Sequence, residues 1–151
     1  MIVIFTGQPH SGKTTLAKYI KTAIEISQIH MNVFLVDGDD IRTLFNNQDY
    51  SEAGRRKNIE TAHNIAKYLH KQSLFNIVLV SLVSPFRDLR EKLKSECNAK
   101  EVYIHTTEIR GREKFHVADY EIPLENFLDI DTTIDDELTS VNTILNFITN
   151  Y

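Results

Sequence analysis

Apolar positions along this chain fall into two rhythms. Short continuous runs alternate with stretches in which apolar residues recur every three or four positions. Ile2-Val3-Ile4-Phe5 is the first run, and residues 32–36, 76–82, 101–105 and 126–130 supply four more. Runs this short, rich in Val and Ile, predict buried strands. Residues 32–36 read as buried on both faces, and residues 76–82, the most hydrophobic run, as a central strand. Helical spacing fills the gaps. Leu16, Ala17, Ile20, Ala23, Ile24 and Ile26 predict one face of a helix over residues 12–29. A short helix follows, to about Phe45, and a longer one runs over 52–72 with Ile59, Ala62, Ile65, Ala66 and Leu69 inward. Two more are predicted over residues 85–97 and 135–148, the last capped by Thr133 with Asp136 at its third helical position.

Strand–helix alternation of this kind requires right-handed crossovers. It predicts an α/β, three-layer fold with a five-stranded parallel sheet covered by helices on both faces. Ligands of such sheets sit beyond the carboxyl ends of the strands. The loops after the first four strands are therefore expected to converge on one site.

Those loops carry the chemistry. Gly7-Gln8-Pro9-His10-Ser11-Gly12-Lys13-Thr14-Thr15 joins the first strand to the first helix, the spacing of a P-loop. Successive backbone N–H groups and the helix N-terminus form an anion cradle, Lys13 supplies a point charge for the outer phosphates, and the Thr14 hydroxyl can ligate magnesium. A nucleoside-triphosphate site is the reading, with Gly7, His10, Ser11, Gly12, Lys13, Thr14 and Thr15 as its ATP-binding set. His10 replaces a small residue, which is tolerable at negative φ with the ring turned away; it is given no chemistry of its own. Asp37 and Asp39 follow the second strand. Two apart in extended chain they share a face, so one carboxylate can serve the metal and the other take a proton from an attacking hydroxyl. The alternative is that Asp39 merely caps the short helix.

At 151 residues the chain reads as one domain, residues 1–151, and needs no disulfide or structural metal. A lone cysteine, Cys97, suits a reducing compartment. No signal-type or membrane-spanning run is apparent, and cytoplasmic localisation is expected. The net charge of −4 weighs against a nucleic-acid partner but not against a small anionic substrate. The remaining histidines show no metal-ligand spacing, and no repeat or linker interrupts the chain.

The P-loop, Asp37-Gly38-Asp39-Asp40-Ile41-Arg42, the stretch from Tyr50 through Arg55 and Asn58 to Ile59, Ser84-Pro85-Phe86-Arg87 with Arg90, and Tyr120-Glu121-Ile122-Pro123 occur in the order seen in adenylylsulfate kinases. The sequence resembles that family over nearly its whole length, and the resemblance implies that the three-layer fold is of the P-loop nucleotide-kinase type. The resemblance implies magnesium-dependent transfer of the ATP γ-phosphate to the 3′-hydroxyl of adenosine 5′-phosphosulfate, a step of sulfate assimilation. It implies Lys13 and Asp39 as catalytic residues, and Thr14 and Asp37 at the metal. Asp39, Arg42, Tyr50, Arg55, Asn58, Ser84, Phe86 and Arg87 would be on the acceptor nucleotide. It also suggests a homodimer. Family descriptions sometimes make the matching serine a phosphoserine intermediate. Ser84-Pro85 instead reads here as a helix N-cap followed by proline.

Departures from the pattern lie mostly on the acceptor side. Gly54 replaces an aspartate, Lys57 a glutamate, and Glu60-Thr61 an arginine pair. The basic lid is shortened to residues 107–115, where Arg110, Arg112 or Lys114 either covers the phosphates or belongs to an exposed charged loop; Arg110 is assigned to ATP. Two rival readings therefore stand: a related kinase with another nucleotide-like or small hydroxyl acceptor, and an inactive nucleotide-binding module.

Overall fold

The computed structural model describes residues 1–27, 31–111 and 113–149. The apolar runs form β1 (Ile2–Thr6), β2 (Val33–Asp37), β3 (Ile77–Ser81), β4 (Lys100–His105) and β5 (Phe127–Asp131). All pair in parallel, in the order β2-β3-β1-β4-β5. Among the described residues, the α-helices that connect and flank them are α1 (Lys13–Ser27), α2 (Gly38–Leu44), α3 (Glu52–Lys71), α4 (Arg87–Cys97) and α5 (Glu137–Thr149). The expected end of α1, from Gln28 to Ile29, lies outside the described residues.

Side-chain alternation along β1 divides the core in two. Val3 and Phe5 pack with Leu16, Ile20, Ile144 and Ile148 of α1 and α5. Ile2 and Ile4 pack on the other face with Ala62 and Ala66 of α3 and Leu93 of α4. Each large aliphatic side chain so buried contributes roughly 1.5–3 kcal/mol, which is why strand and helix periodicities had to agree. Among the described residues, no helix is long and apolar enough to cross a membrane.

Several local expectations are corrected. β2 is an edge strand, so it is not buried on both faces; Phe34 is 38% exposed and covers itself against Phe75, ring centroids 5.0 Å apart. Ile26 is exposed, because it follows Ile24 by a rotation that carries it off the inner face of α1. Thr133 does not cap α5. Its hydroxyl accepts from Thr107 N–H, while Asp136 Oδ1 accepts from Thr139 N–H at 2.7 Å and caps the helix.

His63, on the inner face of α3, is buried with Nε2 unpartnered. Burial first, then Lys67 and Arg90, lower its pKa to about 4, against the opposing pull of Glu96. The unfolded chain therefore binds a proton between pH 6.5 and about 4 that the folded chain refuses. Stability is full above pH 6.5 and falls by roughly 3 kcal/mol as pH drops to about 4. Denaturant midpoints of a His63→Gln variant are expected to lose that acid slope. An unchanged slope would place the acid sensitivity elsewhere.

Candidate active site

The phosphate loop is shaped by its two glycines. A Cβ on Gly7 would lie 1.9 Å from the Ile104 carbonyl, and its φ of +145° is open only to glycine. Gly12, at φ +102°, turns the chain into α1, whose first bond runs from Leu16 N–H to Gly12 O at 2.9 Å. His10 does not keep negative φ as expected. It takes φ +61°, its exposed ring turned to the Arg110 carbonyl at 3.1 Å, so the tight loop and this contact outweigh the left-handed penalty. Gly7 and Ser11 shape the loop from behind rather than line the cleft, whereas His10, Gly12, Lys13, Thr14 and Thr15 line it.

Lys13 is buried, its Nζ donating to Gln8 O at 2.7 Å. Burial lowers its pKa to about 8, while the negative charges of Asp37 and Asp39 pull the other way. Thr14 Oγ1 donates to Asp37 Oδ2 at 2.8 Å and lies 3.1 Å from Ser81 Oγ. The other Asp37 oxygen accepts from Asp39 N–H at 2.9 Å and caps α2. It is therefore Asp37, not Asp39, that serves as the cap. One hydroxyl beside one carboxylate at the mouth of an anion cradle fits magnesium, which takes few protein ligands and keeps waters and substrate phosphates.

Both sides open into one cleft of about 1270 Å³, above the roughly 300–1,000 Å³ of a single small-molecule pocket. Asp39, close to Lys13, and Arg42, Tyr50, Arg55, Asn58 and Ser84 also line it. Arg42 donates to the carbonyls of Asn47 and Asp49 and lies 4.2 Å over the Tyr50 ring. Arg55, 5.7 Å from the same ring, donates to Tyr50 O. Burial and the neighbouring Arg42 push the Arg55 guanidinium down, the mark of a positive bay that favours an anion. Asn58 Nδ2 donates to Gly38 O at 3.2 Å, while Asn58 Oδ1 and Ser84 Oγ are buried without partners. Orphaned buried groups cost about 1–3 kcal/mol each unless a ligand or water satisfies them.

Ser84 is not the cap of α4. Its φ is +43°, and α4 begins at Arg87 after Phe86. The N-terminus is met instead by the Glu121 carboxylate, which accepts from Arg87 N–H at 2.5 Å and complements the helix dipole. Arg90, fully buried, ion-pairs with Glu101 at 2.6 Å and donates to Ser84 O and Glu121 O. Lys94 takes the second Glu101 oxygen at 3.0 Å. This buried network holds Ser84 in its left-handed turn.

Phe86 and Arg87 do not line the cleft. Arg56 lies 4.2 Å over the Phe86 ring, and Arg87 is turned to Ile122 O. The Glu60 reversal also falls outside: Glu60 lines a small groove between α3 and α4, and Thr61 donates to Lys57 O. At Gly54, a Cβ would meet Asp49 O at 2.3 Å and Asp49 Cγ at 2.4 Å. The Asp49 side chain thus fills the space that a side chain at 54 would need.

Arg110 reaches the phosphate loop, donating to His10 O at 3.3 Å and Thr132 O at 2.9 Å. Lys114 does not line the cleft, its Nζ lying 5.0 Å from the Phe115 ring, and Arg112 lies outside the described residues. Thr132, Asp136 and Ser140 line the cleft beside the P-loop and were missed. They follow β5, and extending the carboxyl-end rule to that fifth strand would have found them.

A parallel sheet of this order, with a glycine-bounded phosphate loop after its middle strand, defines a P-loop kinase-type fold. The comparisons agree. The structure of an APS kinase from Mycobacterium tuberculosis, solved in complex with AMPPNP and APS, superposes with a TM-score of 0.81 at 19% identity, over 97% of this chain and 96% of that one. The adenylylsulphate kinase family model matches residues 1–118, and the chain belongs to that family of phosphotransferases. An adenylyl-sulfate kinase of Pseudomonas aeruginosa is 31% identical over 97% of this chain and 84% of its own. One from Buchnera aphidicola of Acyrthosiphon pisum is 34% identical over 70% of this chain, a match spanning only 52% of that relative's length.

Proposed function

We propose that this protein transfers the γ-phosphate of ATP to the 3′-hydroxyl of adenosine 5′-phosphosulfate, with magnesium. The observation that carries the reading is the two-ended cleft. A phosphate cage with its hydroxyl–carboxylate pair stands at one end, and a positive bay with two orphaned polar atoms at the other. Family membership supplies the acceptor.

In this scheme Lys13 and the loop amides hold the transferring phosphoryl group, and Thr14 and Asp37 hold magnesium. The metal, when bound, neutralises charge developing on the phosphates. Arg110 lies over the ATP side. Arg42 and Arg55 hold the acceptor's anionic groups, and Tyr50, already faced by Arg42, offers its exposed ring to the base. Asn58 Oδ1 and Ser84 Oγ take hydrogen bonds from the acceptor. Asp39 accepts the proton of the attacking hydroxyl. No covalent relay through Ser84 is needed for in-line transfer.

The test is ADP release with ATP and a panel of acceptors. Adenosine phosphosulfate is expected to outpace nucleotides and small alcohols that leave the site's polar groups unpaired by about ten-thousandfold. A larger rate with another acceptor would reassign the substrate. ATP binding without release on any acceptor would leave an inactive module.

A further inference from the structure

From the end of β1 into the phosphate loop, alternate residues meet the connection between β4 and β5 in antiparallel order. Thr6 Oγ1 lies 2.5 Å from the Tyr120 hydroxyl, and the His10 ring meets Arg110 O at 3.1 Å. Between them, the Gln8 side chain makes both hydrogen bonds that a strand neighbour would make. Its Nε2 donates to Val117 O at 2.8 Å, and its Oε1 accepts from Val117 N–H at 2.9 Å. A neutral amide is the side-chain group that presents donor and acceptor side by side for such a pair. The main chain of the same residue accepts from Lys13 Nζ at 2.7 Å. Gln8 thus touches the phosphate-binding lysine with its backbone and the β4–β5 connection with its side chain.

That connection, residues 106–126, is long, and its helical content among the described residues is the 3-10 turn Glu113–Phe115. Stretches of this length with so little internal structure need outside anchors to hold one conformation. Phe115 at the end of the turn lines the cleft. We propose that Gln8 is a positioning residue for the nucleotide donor: its amide fastens Val117 to the phosphate loop and so holds Phe115 as a wall of the cleft. The role rests on the ATP reading above only for the identity of the ligand.

The test is titration of a non-hydrolysable ATP analogue with magnesium into the intact chain and two variants, with amide exchange followed at Val117. Gln8→Met keeps the volume and loses both bonds. It is expected to weaken the analogue about tenfold, the scale of two neutral hydrogen bonds, mainly through faster dissociation. Val117 N–H should exchange faster, while amides of β1 and β3 keep their protection. Gln8→Glu adds a readout that a general packing defect would not move. As a carboxylate it lacks the donor and binds weakly near pH 7.5. Protonated as pH falls to about 4, it regains a donor beside an acceptor, and its affinity relative to the unmodified chain at the same pH should recover. Equal affinity for the unmodified and Gln8→Met chains would overturn the proposal. Failure of the unmodified chain to bind the analogue would overturn the ATP reading instead.

Discussion

Replacing Lys13 by alanine is expected to lower turnover by about a thousandfold or more, the upper range for deleting one preorganised donor at developing charge. Lys13 is buried and its ammonium is aimed inward by the loop, so water cannot take its place without opening the cage. Burial has lowered its pKa to about 8, which still leaves the lysine mostly charged at pH 7. The free site already bears the cost of holding that charge. An incoming phosphate relieves it, and the relief is greatest where negative charge accumulates during transfer. Steady-state rates of Lys13→Ala with saturating ATP check this. Retention of more than a tenth of the activity would remove the phosphate cage from the mechanism.

Asp39→Asn is expected to leave binding of an ATP analogue within a fewfold of the original and to cut turnover at least about a hundredfold, the lower range of general-base catalysis. The two carboxylates of this loop are not equivalent. Asp37 has one oxygen on Thr14 and the other on the start of α2. Asp39, in the first turn of α2, lines the cleft, and its carboxylate accepts no hydrogen bond among the described residues. It also lies close enough to Lys13 for its charge to oppose the lowering of that lysine's pKa. A carboxylate held near a phosphate cage but committed to no protein donor is the one able to receive a substrate proton. Full activity of Asp39→Asn would end the base assignment. Loss of analogue binding would instead assign Asp39 to the metal.

Local rules were reliable where neighbours in sequence determine the outcome. The P-loop, the strand runs and the start of α3 at Glu52 depend on residues within one turn or one strand, and all appear where periodicity predicts them. Ser84 and Thr133 mislead for the opposite reason. Each sits where a cap is favourable locally, but Arg90 and Glu121 claim the first turn, and Thr107 claims the second hydroxyl. Phe86 and Arg87 belonged to a shared motif, yet adjacency in a motif does not give a common direction. Their side chains leave the cleft for Arg56 and Ile122.

The amino-acid sequence by itself determined that the chain builds a parallel α/β sheet with an anion cradle after its first strand, because periodicity and glycine placement act over a few residues. It also placed Asp37, Asp39, Arg42, Tyr50, Arg55 and Asn58 on loops or helix starts at one sheet rim. Tertiary structure alone decided which of these candidates share the cleft, that Glu60 faces elsewhere, and that Gln8 and the residues after β5 belong beside the phosphates. Those outcomes turn on contacts between segments a hundred or more positions apart, such as His10 with Arg110. Such pairs are selected by packing of the whole sheet, and no local preference encodes them.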